Sequence, residues 1–202
     1  LVVAVFLSAT TSSSLPKVVE PPPAPPPVEI KVVITYPTPP EWVSRSYVAY
    51  VMQECARQNV PYLLVFKLIE LESGWKISAK NINRDPVTGE VLSIDWGRFQ
   101  INSRNFERFI AKYKDPDRKA SSYDLIHDAF DNAQIGIRHL ADLYGEFGNW
   151  TQAVQAYNGG SPRVRNGSLL DSTYAYQKYI IPVEGWWENP PGVEIIRKEV
   201  VS

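Results

Sequence analysis

The chain has 202 residues, 44% of them hydrophobic and 12% aromatic, which is enough for one packed domain of ordinary size plus an appendage. Its formal charge of -1 at pH 7 leaves no basic field for nucleic acid or an anionic membrane surface, so a neutral or amphipathic partner is expected. The single cysteine, Cys55, excludes an intrachain disulfide, and the two histidines, His127 and His139, bring no carboxylate pattern of the metal-ligand kind, so no metal and no other cofactor is expected.

In chain order, residues 1–15 open as "LVVAVFLSATTSSS", an apolar run followed by small polar residues, which reads as the end of a signal peptide or membrane anchor. The expectation is a protein exported to the periplasm or cell envelope, touching membrane only through this segment. Residues 16–40 hold ten of the 17 prolines and read as a polyproline spacer, with a ligand for a small adaptor domain as the alternative. The island "VEIKVVITY" within it and "GVEIIRKEVVS" at the far end both have strand character and could pair.

From Glu41 to Pro182 the pattern turns helical. "EWVSRSYVAYVMQECARQN" places Val43, Tyr47, Tyr50, Val51 and Cys55 near one face, and in that setting Cys55 reads as a small buried hydrophobe. Pro61 opens a second helix, "PYLLVFKLIELES", apolar almost all round and therefore central. Asn81, Asn83, Asp85-Pro86 and Gly89 read as turn formers in a loop or small hairpin before "SIDWGRFQIN". Helices follow over "RNFERFIAKY" and over "AFDNAQIGIRHLADLYGEF", the latter with a stripe of Ile135, Leu140, Leu143, Tyr144 and Phe147. Asn149 then caps "WTQAVQAYN" with Gln152 as its reciprocal partner, Gly159-Gly160 ends that helix, and a last one covers "DSTYAYQKYI". Residues 183–202 form a tail in which Trp186 and Trp187 would cover the flank of the domain. The expected class is mainly α with one small β element after the central helix.

Two carboxylates stand out. Glu70 and Glu72 lie about 200° apart around a helix, so only one can point into a cleft. Glu72 sits at the helix C-terminus, beside Leu71 and Trp75, where dipole and desolvation both favour the protonated form, as a general acid requires. From position alone, a solvated helix-end residue is the simpler reading. The second carboxylate, Asp95, stands 23 positions on (95 − 72).

The run "ESGWKISAKN … DWGRFQIN" resembles the soluble lytic transglycosylase (SLT) domain of the lysozyme-like superfamily. "NAQIGIRHLADLYGEFGNWTQAVQAYNGG" is similar to that family's N-I-x-x-G-x-x-Y-L helix and A-x-A-Y-N-x-G signature, and "STYAYQKYI" to its closing helix, T-x-x-Y-V-x-K. Together the three blocks span roughly residues 45 to 181. "SIDWGRFQINSRN" also resembles the strand of animal c-type lysozymes, whose D-Y-G-x-x-Q-I-N-S-R carries an acid matching Asp95. Ordinary SLT domains lack it, although specialised transglycosylases of secretion systems carry such an acid.

The resemblance implies a lysozyme-like α+β fold and peptidoglycan glycan strands as partner, with an envelope-spanning secretion or phage machine as a further one. It implies Glu72 as the acid that protonates the MurNAc–GlcNAc glycosidic oxygen. Gln100 and Asn102 would line the sugar cleft, Tyr157 would face Glu72, Asn158 would shape the turn beside it, and Ser73 would serve local structure at the cleft. Trp75, Trp96 and Trp150 are candidates for packing on sugar faces. Asp95 would stabilise an oxocarbenium-like transition state, serve as the second carboxylate of a retaining hydrolase, or act only as a turn residue. Three readings therefore stand: a lytic transglycosylase forming a 1,6-anhydro product, a lysozyme-type hydrolase, and a non-catalytic peptidoglycan-binding component of a phage tail or secretion apparatus.

Overall fold

The computed structural model describes residues 28–33, 37–113, 127–188 and 194–199. The leader expected over 1–15 and the first part of the proline-rich tract lie outside the described residues. The chain divides into two units, Leu1–Lys31 with Ile196–Ser202, and Val32–Ile195. Strand β1 (Val28–Val33) pairs with β5 (Glu194–Glu199) in a two-stranded sheet, as the strand character of both ends allows. Among the described residues no helix is long and apolar enough to cross a membrane.

All candidate residues lie in the unit Val32–Ile195. Helix α1 (Arg45–Gln58) starts where the Ser44 hydroxyl accepts the Tyr47 N–H at 3.3 Å, and it buries Tyr47, Val51 and Cys55. Helix α2 (Tyr62–Ser73) buries Leu64, Val65, Leu68 and Ile69 completely, which is what its all-round apolar sequence predicts. Glu54 on α1, unremarked in the sequence, is wholly buried and held by Arg57 and by Arg138 from a helix 84 positions away in sequence.

The stretch read as a loop or small hairpin is an antiparallel hairpin, β2 (Lys80–Arg84) with β3 (Val91–Trp96), joined by the two-residue β4 (Ile101–Asn102) in the order β2-β3-β4. Asn81 and Asn83 sit in the strand because their side-chain amides bond across the sheet. The turn proper falls to Asp85, whose carboxylate accepts the N–H groups of Val87 and Thr88, both at 2.8 Å.

A 3-10 turn over Ser103–Asn105 leads into α3 (Phe106–Tyr113). Helix α4 (Ala129–Phe147) is buried on most sides from Asp131 to Ile137, so its core face is wider than the expected stripe, and Tyr144 from that stripe is exposed. Asn149 caps α5 (Trp150–Gly159) by accepting the Gln152 N–H at 2.8 Å and returning its own amide to the Gln152 carbonyl at 2.6 Å. A short helix that the sequence reading lacked, α6 (Ser161–Asn166), begins with Pro162 in its first turn, and α7 (Asp171–Ile180) closes the set. Trp186 is fully buried and donates its indole N–H to the Ile180 carbonyl at 2.9 Å, so it completes the core and does more than cover a flank.

The turn between β3 and β4 is locked against α4. Asn132 accepts the Phe99 N–H at 3.0 Å and donates to the Trp96 carbonyl at 3.1 Å. Gly97 has a φ of +76°, and a Cβ there would meet the Asn132 amide at 2.6 Å, while a Cβ at Gly136 would run into the Phe99 ring. The "DWGRF" and "NAQIG" blocks are thus two halves of one joint.

Candidate active site

Glu72 is the penultimate residue of α2, and α2 ends at Gly74, so its carboxyl emerges where the chain turns away toward the sheet. It lines an open cleft of about 1570 Å³ shared with Asp95, Gln100, Asn102, Tyr157 and Asn158. That volume exceeds the few hundred to ~1,000 Å³ usual for a single small ligand, which suits an extended one. Glu70 points elsewhere, with Lys67 at 3.5 Å, so of the two glutamates only Glu72 lines this cleft, as their helical spacing requires.

Burial pushes the Glu72 carboxyl up to about 7, the Asp95 charge adds to the rise, and a hydrogen bond from the Tyr176 hydroxyl takes part of it back. Leu71 is exposed, and Trp75 is turned into the core against Phe66. The tyrosine bonded to Glu72 is Tyr176, not Tyr157. Its signal was present in the T-x-x-Y pattern of the closing helix, at Thr173 and Tyr176. Tyr157 feels the charges of Glu72 and Asp95, but its hydroxyl donates to the Phe99 carbonyl at 2.8 Å and so fastens α5 to the locked turn.

Asp95 lies in a polar cradle. Asn102 donates to its Oδ1 at 2.6 Å, and Asn81 and Asn83 donate to its Oδ2 at 3.1 and 2.9 Å. The register explains the convergence: Asn81 and Asn102 both pair with Asp95, and Asn83 pairs with Ser93, so all five side chains share one face of the sheet. Asn83 and Asn102 also donate to the Ser93 hydroxyl at 3.1 and 3.0 Å. Asn81 and Asn83 escaped the sequence reading, although asparagines at alternate positions of "KNINR" carry the period of a strand.

Several expected contact residues use their polar atoms internally. The Ser73 hydroxyl bonds the Ile69 and Arg98 carbonyls, both at 3.0 Å, and ties the end of α2 to the locked turn. The Gln100 amide nitrogen donates to the carbonyls of Gly97 and Ala79 at 2.8 and 3.2 Å. Asn102 is committed to Asp95, Ser93 and the Arg104 N–H. Asn158 accepts from Thr173 at 2.9 Å. The tryptophans fare differently from expectation: Trp75 is core, Trp150 stacks on Tyr144 at 4.1 Å, and neither they nor Trp96 line the cleft. Among the described residues no three histidine, cysteine or acidic side chains are grouped to hold a metal ion.

The arrangement places in one open cleft a carboxyl whose pKa is pushed up to about 7 and a second acid held by three side-chain amides. The transglycosylase SLT domain matches residues 49–180 of the chain. Among solved structures, the chain is similar to an inactive mutant of the lytic transglycosylase Slt from Pseudomonas aeruginosa, with 22% identity, a TM-score of 0.52, and coverage of 65% of this chain and 22% of that one. It is also similar to the 70-kDa soluble lytic transglycosylase from Escherichia coli, with 22% identity, a TM-score of 0.53, and coverage of 66% and 22%. A 70-kDa soluble lytic transglycosylase in complex with bulgecin A matches equally, at a TM-score of 0.53 and 22% identity over 67% of this chain and 23% of that one. At this identity the likeness is one of fold, which is lysozyme-like, and the chain spans less than a quarter of the length of these structures. No curated protein matches the chain.

Proposed function

We propose how this chain acts from one fact of kinship: it belongs to the transglycosylase SLT domain family. Its substrate is the peptidoglycan glycan strand, and it breaks the β-1,4 bond between N-acetylmuramic acid and N-acetylglucosamine as a lytic transglycosylase. Glu72 gives its proton to the glycosidic oxygen as the bond to muramic C1 breaks, leaving an oxocarbenium-like centre. The resulting carboxylate takes the proton from the sugar's own 6-hydroxyl, whose oxygen closes on C1 as a 1,6-anhydro ring. Glu72 is then protonated again and no water has been consumed. Asp95, oriented by the side-chain amides of Asn81, Asn83 and Asn102, stabilises the positive charge while it lasts.

The observation that carries this reading is the Glu72 carboxyl, pushed up to about 7 and hydrogen-bonded by Tyr176 in the cleft. A second reading, a lysozyme-type hydrolase, draws on the Asp95 cradle, which suits a retaining partner as well as it suits an electrostatic one. Digestion of purified peptidoglycan followed by mass spectrometry of the muropeptides separates them. Products lighter by one water support the transglycosylase, reducing-end products make the protein a hydrolase, and no release by the intact chain rejects both. Export to the cell envelope through residues 1–15, and recruitment by an envelope-crossing machine, complete the proposal on the strength of the leader's composition and the Asp95 strand. Fractionation of expressing cells tests the first, and cross-linking in the envelope fraction tests the second.

A further inference from the structure

The rings that line the cleft are those of Phe109, Tyr113, His139 and Tyr157. His139 stands among the other three, its centroid 4.5 Å from Phe109, 5.9 Å from Tyr113 and 5.6 Å from Tyr157. Its Nδ1 lies 3.2 Å from the Tyr113 hydroxyl, and the Asp142 carboxylate, paired with Lys112, acts on the same phenol through its charge. A carboxylate can only accept, so it draws the one phenolic proton toward itself and favours the tautomer in which the Tyr113 oxygen receives Nδ1–H and Nε2 keeps its lone pair.

Burial, helped by Arg108 and Lys112 and opposed by Asp142, pulls the His139 pKa down to about 4, so the ring is neutral in ordinary buffers. In the pattern G-x-x-Y-L, Gly136 and Leu140 hold the outer places and His139 stands at the tyrosine. A phenol there would offer a proton to the cleft. This imidazole offers only an electron pair.

We propose that His139 is a substrate-binding residue, its Nε2 accepting a hydrogen bond from a hydroxyl or amide N–H of a sugar unit whose apolar face rests on Phe109 and Tyr157. The inference rests on the glycan reading above and adds a wall to the site that neither carboxylate supplies. Stacking by rings and one directed acceptor is the usual chemistry for holding a pyranose, whose axial C–H face is apolar and whose rim is polar.

The probe is a soluble, uncrosslinked GlcNAc–MurNAc tetrasaccharide, titrated into the full chain carrying Glu72→Gln so that it is not cleaved, with the imidazole nitrogens followed by 15N NMR. The Nε2 resonance is expected to move on binding. His139→Phe in the same background should weaken binding roughly 5- to 10-fold, the worth of one hydrogen bond. His139→Gln, which returns an acceptor oxygen, should recover part of it, and thermal midpoints should show that all variants remain folded. In the active protein His139→Phe should raise KM and leave kcat nearly unchanged. Imidazole signals that stay still while Tyr157 shifts, or equal affinity in the phenylalanine variant, would overturn the role of His139 and leave the proposed reaction standing. A parent chain that neither binds the tetrasaccharide nor releases muropeptides from whole peptidoglycan would overturn both.

Discussion

Glu54 and Glu72 lie on adjacent helices of the same core, both shielded from water, yet their carboxyls are driven in opposite directions. For Glu54 burial alone would raise the pKa, but hydrogen bonds and charge from Arg138 and Arg57 overcome it and hold the carboxyl below the usual range. For Glu72, among the described residues, the side-chain hydrogen bond comes from a phenol and the charge that acts on it is that of another acid, so burial wins. Burial sets the stakes in both places, and the partners decide the sign. One glutamate is thereby a strut and the other a proton store.

The largest effect should come from removing the store. Glu72→Gln is expected to reduce muropeptide release by about 10²–10⁴-fold, the range for a positioned general acid, with no loss in thermal midpoint. Glu54→Gln should do the reverse. It leaves the Arg138 guanidinium without its counter-charge and should cost about 3 kcal/mol in denaturant unfolding, while activity per folded molecule stays close to the parent's. If Glu54→Gln abolished activity without destabilising, the division of labour would be wrong.

The pH dependence of stability sharpens the contrast. Glu72 is raised from its ordinary value near 4.5 to about 7, so the folded state binds that proton more tightly. Its contribution is full below the unfolded value and is lost as pH rises toward 7, by up to about 3 kcal/mol before discounting for water in the cleft. Glu54 contributes above the unfolded value and loses its contribution as pH falls through the lowered folded one. Denaturant titrations from pH about 2 to 8 should therefore lose the decline toward neutrality in Glu72→Gln and the decline toward acid in Glu54→Gln. Catalysis should fall above pH about 7 as Glu72 ionises.

The smallest expected effect is that of Tyr176→Phe, roughly 3- to 10-fold in kcat, because one hydrogen bond is lost. That bond lowers the Glu72 pKa, so its removal should move the alkaline limb of the rate profile upward. An unshifted limb would show that the phenol only fills space.

What could be read in the residues themselves was local. The helix ends, the Asn149 cap and the rule that Glu70 and Glu72 cannot share a face all follow from periods and caps that span a few positions. Asp95 was found because its motif is contiguous. What escaped depends on partners elsewhere in the chain: Tyr176 on Glu72, Arg138 on Glu54, the Gln100 amide turned to the Ala79 and Gly97 carbonyls, and the Asn102 amide turned to Asp95 and Ser93. The tryptophans were candidates only, because a large ring satisfies a core as readily as it satisfies a sugar and spacing does not tell which it meets; Trp75, Trp96 and Trp150 go to or against the core.

The joint between Phe99 and Gly136 has a consequence for how such a chain can change over generations. The ring occupies the space where a side chain on α4 would begin, so alanine at 136 is tolerable only after Phe99 has shrunk, and a smaller residue at 99 leaves a void until 136 has grown. Either step alone passes through a damaged protein, and the damage falls on the turn whose Phe99 carbonyl holds Tyr157. The two positions are therefore expected to be inherited as a pair, with each residue's fitness defined by the other.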